Sequence, residues 1–188
     1  MRKETKKHYF TVEGETEKWY FEWLQRTINA SPAALYTVKF DCPVQKDPLK
    51  RAKGLVAIEK TEITHIMDRE SEEKTHVQQF ETVLSRMKSA EKIGKSIKYN
   101  LGYSNFAFEL WIVLHKADCN GYLNHRRQYP SLLNRTYAEQ FENLDQYKHE
   151  GNFGRVLSKL TLDDVEQAIR RSKAIMRINQ ENGYVLQQ

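Results

Sequence analysis

Residues 9–28 read YFTVEGETEKWYFEWLQRTI. Tyr9 to Val12 is a short β-type run, and Glu13-Gly14-Glu15-Thr16 punctuates it. From Glu17 to Ile28 the residues Tyr20, Trp23, Leu24 and Ile28 recur at helical spacing, which predicts a helix with one buried face. Thr16 stands where an N-cap is expected, Glu17 and Glu22 lie toward the positive helix end, and Ser31-Pro32 closes the segment. The same alternation continues outward. Tyr36 to Phe40 reads as a second strand, and Asp47-Pro48 opens a second helix that carries Lys50, Arg51 and Lys53 and weakens at Gly54. Ile63 to Met67 is a third strand ending at Asp68, followed by a charged loop from Arg69 to Lys74. His76 to Ala90 is a helix with Val77, Phe80, Val83, Leu84 and Met87 on its buried stripe, and Ser96 to Leu101 is a fourth strand closed by Gly102.

A β-α-β-α-β-α-β order predicts an α/β fold, a parallel sheet flanked by helices on both faces. Right-handed crossovers then bring every loop that follows a strand to one sheet edge, where ligands of open α/β sheets bind. Glu13, Asp68 and Ser104-Asn105 all fall at that edge. Beyond Phe106 the pattern turns helical: Phe106 to His115, short helices within 118–160, and a long basic helix from Asp163 to Asn182 capped by Thr161. With no repeat and no Pro/Gly linker, residues 1–188 read as one domain, a core of about 7–116 with a helical C-terminal extension of about 117–188.

Composition narrows the class. Hydrophobic residues make up 39% and aromatics 11% of the 188 residues, which excludes a disordered chain. No apolar run reaches the ~20 residues of a membrane helix, and no apolar segment follows the basic start, so no membrane is expected and the cytoplasm is the expected location. Cys42 and Cys119 form no CxxC pair and no disulfide framework. The net charge of +5 favours anionic partners, nucleic acid first among them.

Glu13, Glu15 and Glu17 lie within five residues, and Asp68, Glu70, Glu72 and Glu73 within six. Two carboxylates ~4 Å apart repel by roughly 4 kcal/mol at an effective dielectric of ~20. A divalent cation removes that penalty. Mg²⁺ takes oxygen ligands, one or two carboxylates with waters and substrate phosphates. The expected site is therefore Mg²⁺ or Mn²⁺ held by Glu13, Asp68 and Glu70, with Glu17 as a further ligand. The plain alternative is solvated loop and cap charges, to which Glu15, Glu72 and Glu73 are assigned.

Ser104 and Asn105 are expected to cap the helix holding Glu109, and a helix start beside a metal also suits a phosphate. Glu109, among Phe108, Leu110 and Trp111, needs a basic partner or a place in the site. His115 reads as a helix-end or core histidine before a catalytic base. Arg126 and Arg127, with His125, Tyr122 and Tyr129, form the best candidate for phosphate contact and base stacking. The other basic clusters are Lys46/Lys50/Arg51/Lys53, Lys92/Lys95/Lys98 and Arg170/Arg171/Lys173/Arg177. His115, Cys119 and His125 lack a fourth ligand for structural zinc, and Cys42 has no nucleophile motif. The absence of GxSxG, Walker A and GxGxxG removes the usual warrant for serine hydrolase, P-loop and Rossmann readings.

Three blocks taken together resemble the RloB-like family, a Toprim-type, phage-defence-associated group. They are Tyr9 to Glu17 with Trp19-Tyr20-Phe21, Ile66-Met67-Asp68-Arg69-Glu70, and Ser104 to His115. Tyr147-Lys148 falls where that family often has a Tyr-Lys pair. The resemblance implies a Toprim-like fold and metal-dependent phosphodiester chemistry. Glu13 would act in acid/base chemistry or metal binding, Asp68 and Glu70 would hold the metal, and Glu17 matches the second glutamate of related OLD-type nucleases. Glu70 stands where the family pattern has aspartate.

The leading expectation is thus a Mg²⁺- or Mn²⁺-dependent nuclease of a prokaryotic defence system, acting on DNA or RNA, with Glu13, Asp68 and Glu70 catalytic and a partner ATPase or another defence-system protein as partner. Ser104, Asn105, Glu109, His115, Arg126 and Arg127 are the expected substrate-binding residues. The alternative is a non-catalytic module that binds nucleic acid or protein. A phosphoryl transfer on a nucleotide would be served by the same metal site.

Overall fold

The alternation is present in the computed structural model, which describes residues 3–57, 59–119, 123 and 125–183. The strands are β1 (Thr5–Thr11), β2 (Thr37–Asp41), β3 (Thr61–Arg69) and β4 (Ile97–Asn105), and the helices between them are α1 (Glu15–Ala30), α2 (Pro48–Gly54) and α3 (Lys74–Ala90). The four strands form one parallel sheet in the order β2-β1-β3-β4. The chain divides by its internal packing into Met1–Phe108, which holds this sheet, and Glu109–Gln188, which is helical.

From β1 the chain crosses to β2 on one side, whereas β3 and β4 lie on the other. Right-handed crossovers then place α1 on one face and α2 and α3 on the opposite face. The packing agrees. Phe10 stacks on Phe21 of α1 at 4.3 Å and meets Phe40 edge-on. On the other face Ala52, Leu55, Ile63, Met87, Ala90, Ile97 and Tyr99 form one buried cluster. The short α2 is held at both ends. The Asp47 carboxylate accepts from the Leu49 and Lys50 amides, and Lys95 Nζ donates to the carbonyls of Ala52, Lys53 and Leu55 at 3.0, 2.8 and 2.6 Å.

Four expectations are corrected. Helix α1 starts at Glu15 with Gly14 as N-cap, so Thr16 lies inside the helix. β3 runs through Asp68 to Arg69. β4 continues through Gly102 to Asn105, paired with β3 along its whole length, Gly102 opposite Ile66. Ser104 and Asn105 are therefore strand residues and cap no helix. Phe106 adopts a left-handed φ of 64°, with its amide held by the Arg69 carbonyl at 2.8 Å, so the next helix begins at Glu109 rather than at 106.

The second unit contains α4 (Glu109–Leu114), a 3-10 turn (Arg126–Gln128), α5 (Tyr129–Tyr137), α6 (Leu144–Tyr147), α7 (Glu150–Leu157) and α8 (Leu162–Glu181). Its core holds Ile112, Leu133, Tyr147, Phe153, Val156 and Ala168. Thr161 caps α8 through a reciprocal pair with Asp164, and Arg171 of α8 donates to the Leu114 and His115 carbonyls that end α4. Among the described residues no helix is long and apolar enough to cross a membrane.

Candidate functional site

The connections leaving β1 and β3 diverge to opposite faces, and the crevice outside the carboxyl ends of such strands is where open α/β sheets bind ligands. β1 pairs with β3 only as far as Thr11 opposite His65. Beyond that point Val12 turns to the segment after β2: its amide donates to the Pro43 carbonyl, and its own carbonyl accepts from Gln45. Glu13, freed from the ladder, returns to β3 through its side chain. Its Oε2 accepts the Asp68 amide at 3.2 Å.

The Glu13 carboxyl is held above the usual carboxylate range. Burial is the main cause, and the charges of Glu17 and Glu70 push the same way. The Asp68 amide and the Lys46 ammonium pull against it. The Lys46 charge acts on this carboxyl from the segment that the Val12–Val44 bridge lays beside the end of β1. Glu17 is 6% exposed in the first turn of α1, where the helix dipole favours a carboxylate, and it accepts from Thr16 Oγ1 at 3.1 Å. Gly14 leaves room for it, since a Cβ there would meet Glu17 Oε2 at 2.9 Å.

Asp68 is half-buried near the end of β3, and Glu70 follows one residue past the strand. Glu70 Oε2 lies 3.4 Å from His76 Nε2. Ser104 is in register with Asp68 and Asn105 with Arg69. Arg69 pairs with Glu72, which leaves Glu72 an ordinary surface ion-pair member. Glu13, Glu17, Asp68, Glu70, Ser104 and Asn105 thus all lie at the carboxyl edge of one sheet. A cavity of about 670 Å³ opens elsewhere, lined by Lys7, Tyr9, Thr61 and Thr64 among others and by none of these six.

Among the described residues no three His, Cys, Asp or Glu side chains form a ready-made metal cluster. The donors nevertheless fit a hard divalent cation in type. All are carboxylate oxygens, and the burial of Glu13 beside two like charges is the strain that such an ion relieves. Mg²⁺ asks for only one or two protein carboxylates, the rest of its shell being water and phosphate.

The remaining candidates lie in the second unit. Glu109 is fully buried, and Lys148 Nζ lies 3.3 Å from its Oε1. The basic partner that its surroundings demanded is therefore the lysine of the Tyr147-Lys148 pair. His115 is 1% exposed. Its Nδ1 donates to the Trp111 carbonyl at 2.8 Å, and burial lowers its pKa to about 4, so the ring is neutral at pH 7. Arg126 and Arg127 are exposed. His125 Nδ1 accepts the Arg127 amide and so caps the turn. Tyr129 is 1% exposed, a core residue unable to stack on a base, which corrects the expected patch. Tyr122 lies outside the described residues. Burial, with Glu22 and Asp41 nearby, pushes the Cys42 thiol up to about 12, which disqualifies it as a nucleophile at neutral pH.

Two polar residues at or under the edge escaped the sequence reading, His76 and His65, the latter fully buried with its Nδ1 2.6 Å from Thr11 Oγ1, while Lys46 was read only as part of a basic cluster. The alternation of Ile63, His65 and Met67 on the buried face is the signal that could have revealed His65.

Comparison with known proteins adds one match. The family model described as RloB-like protein covers residues 9–185. No curated protein and no solved structure matches the chain.

Proposed function

The chain belongs to the RloB-like protein family, and from that premise we propose that it is a Toprim-type, metal-dependent nuclease of a phage-defence system. The observation that carries the reading is the hydrogen bond from the Asp68 amide to the Glu13 carboxylate. It ties acidic residues from the ends of two adjacent parallel strands together at the point where their connections diverge. The family resemblance supports the defence context.

In this reading Glu13, Asp68 and Glu70, with Glu17, would hold Mg²⁺ or Mn²⁺. The bound ion would polarise a phosphodiester and lower the pKa of a water at it. Glu13, whose proton affinity is raised by burial, would serve either as a ligand or as the group that accepts a proton from an attacking water. The Asp68 amide fixes which Glu13 oxygen remains for that role. Ser104 and Asn105, one strand over, offer hydroxyl and amide donors to substrate phosphate. Lys46 supplies positive charge beside Glu13.

The test is cleavage of end-labelled single- and double-stranded DNA and RNA with Mg²⁺, with Mn²⁺ and with EDTA. The expected result is cleavage by wild type that requires the cation and falls to background in Asp68→Ala. Cation-independent cleavage, or cleavage unchanged in Asp68→Ala, overturns the reading. Salt-sensitive binding without cleavage points instead to a non-catalytic nucleic-acid-binding module.

A further inference from the structure

The last helix carries more apolar surface than the chain covers. α8 runs for 20 residues, about 30 Å at the usual rise, and Ala168 is its one buried residue among those described. It is fixed within Glu109–Gln188 along one line, marked by Asp164, Ala168 and Arg171 at spacings of four and three. Lys116 pairs with Asp164 at 2.6 Å, and Arg171 donates to the Leu114 and His115 carbonyls.

A second line runs beside the first. Leu162, Val165, Ile169, Ser172, Met176 and Asn179 follow one another at spacings of three, four, three, four and three, the pattern of a seam along which two helices pack side by side. None of the six is buried, and Ile169 is 40% and Met176 53% exposed. A helix draws most of its stability from packing such a face. Charge along α8 is segregated. Asp163, Asp164 and Glu166 stand in its first turns, and Arg170, Arg171, Lys173 and Arg177 follow. Glu166 and Lys173 flank the seam on the same side, and both are exposed. Glu166 lies 3.7 Å from Arg170 in an exposed ion pair, which holds it only weakly.

We propose that α8 is a self-association surface whose occupant is α8 of a second copy of this chain, packed antiparallel about a two-fold axis. Alignment about a point between Arg170 and Arg171 sets Leu162 against Asn179, Val165 against Met176 and Ile169 against Ser172 of the second copy, so every seam position meets a seam position. The two arginines nearest the axis are turned off the seam, one toward Glu166 and the other to the carbonyls that end α4. The same alignment brings Glu166 beside Lys173 of the second copy, twice by symmetry, and lays the acidic start of each helix along the basic part of the other. A parallel pair would instead set Ala168 beside Lys173 and Ile175 beside Gln180 at its flanks, with no opposite charges, and would align the two macrodipoles. Charge thus selects both the occupant and its direction. The seam is short and includes Ser172 and Asn179, so the association is reversible, with a Kd in the micromolar range.

The test is sedimentation equilibrium of wild type, Met176→Glu, Glu166→Lys, Lys173→Glu and the double variant Glu166→Lys/Lys173→Glu, with far-UV circular dichroism of each. Wild type is expected to be a reversible dimer, and Met176→Glu a monomer of unchanged helix content, because Met176 is exposed. Each single charge variant should raise the Kd about 5–10-fold, and the double variant should return it near the wild-type value. A wild type that stays monomeric at about 100 μM overturns the proposal and leaves the seam to a different protein. A dimer untouched by Met176→Glu lies elsewhere on the chain and overturns it too. A double variant weaker than either single variant overturns the antiparallel pairing.

Discussion

Lys148→Met should destabilise the helical unit by an amount that the Glu109 environment sets. The Glu109 side chain is 1% exposed, and the Lys148 ammonium lies 3.3 Å from its Oε1. Removing one partner of a fully buried pair typically costs about 3–5 kcal/mol, because the remaining charge stays in a poorly solvated place. The lysine side chain is 39% exposed, so water already screens part of the attraction, which lowers the expected cost to about 2–3 kcal/mol. For a chain of this length that is a fall of about 5–10 °C in melting temperature. Glu109→Gln keeps the shape, removes the buried charge and lets the lysine return to water, so its expected cost is about 1–2 kcal/mol. The double variant should then be no worse than Lys148→Met alone, a coupling of about 1–2 kcal/mol between the two sites. Urea denaturation followed by far-UV circular dichroism measures all four proteins. A loss below about 0.5 kcal/mol in Lys148→Met, or strict additivity in the double variant, would refute a pair that matters through its burial.

Three further outcomes follow from the structure. Burial raises the Glu13 pKa, so the ionised carboxylate weighs against the fold once the pH has risen past the folded value. Glu13→Gln should therefore melt higher than wild type at pH 7, lose that advantage below pH ~4, and lose the cleavage proposed above; a lower melting temperature at pH 7 would contradict the assignment. His65 and His115 are both lowered to about 4 by burial. Their neutral forms support the fold fully above pH ~6.5, and that support is lost as the pH falls toward 4, with up to about 1.4 kcal/mol per pH unit for each ring. Urea titrations at pH 7, 5.5 and 4.5 should show the decline, and removing one ring by His115→Gln should flatten it. Lys95→Met strips three carbonyls at the end of α2 of their common donor and should cost about 2–3 kcal/mol, whereas Lys92→Met, at an exposed position, should stay within about 0.5 kcal/mol of wild type.

The fold was legible because its signals are local. Tyr20 and Trp23 at helical spacing, Pro48 after Asp47, and Thr161 before Asp163-Asp164 each announce an element through its own chemistry, and the structure has a helix at each. Where the sequence misled, the cause was tertiary. Gly102 looks like a strand terminator, yet it lies inside β4 because β3 pairs with it there, Ile66 opposite Gly102. Phe106 looks like the start of an apolar helix, but the Arg69 carbonyl holds its amide in a left-handed turn. The edge acids could be placed from strand order alone, since a parallel sheet brings all such ends together. Lys46 and His76 could not. The charge of one acts on Glu13 across a single bridge between Val12 and Val44, the other comes near Glu70 through a turn of the chain, and neither approach leaves a periodic trace.

If the ends of β1 and β3 form the proposed divalent-cation site, calorimetric titration of Mn²⁺ and Mg²⁺ into wild type and Asp68→Ala will read it. It needs no knowledge of the substrate. Binding by wild type that Asp68→Ala abolishes while its fold is retained is the expected result. Equal binding by both proteins would place the ion elsewhere, and binding by neither would contradict the site.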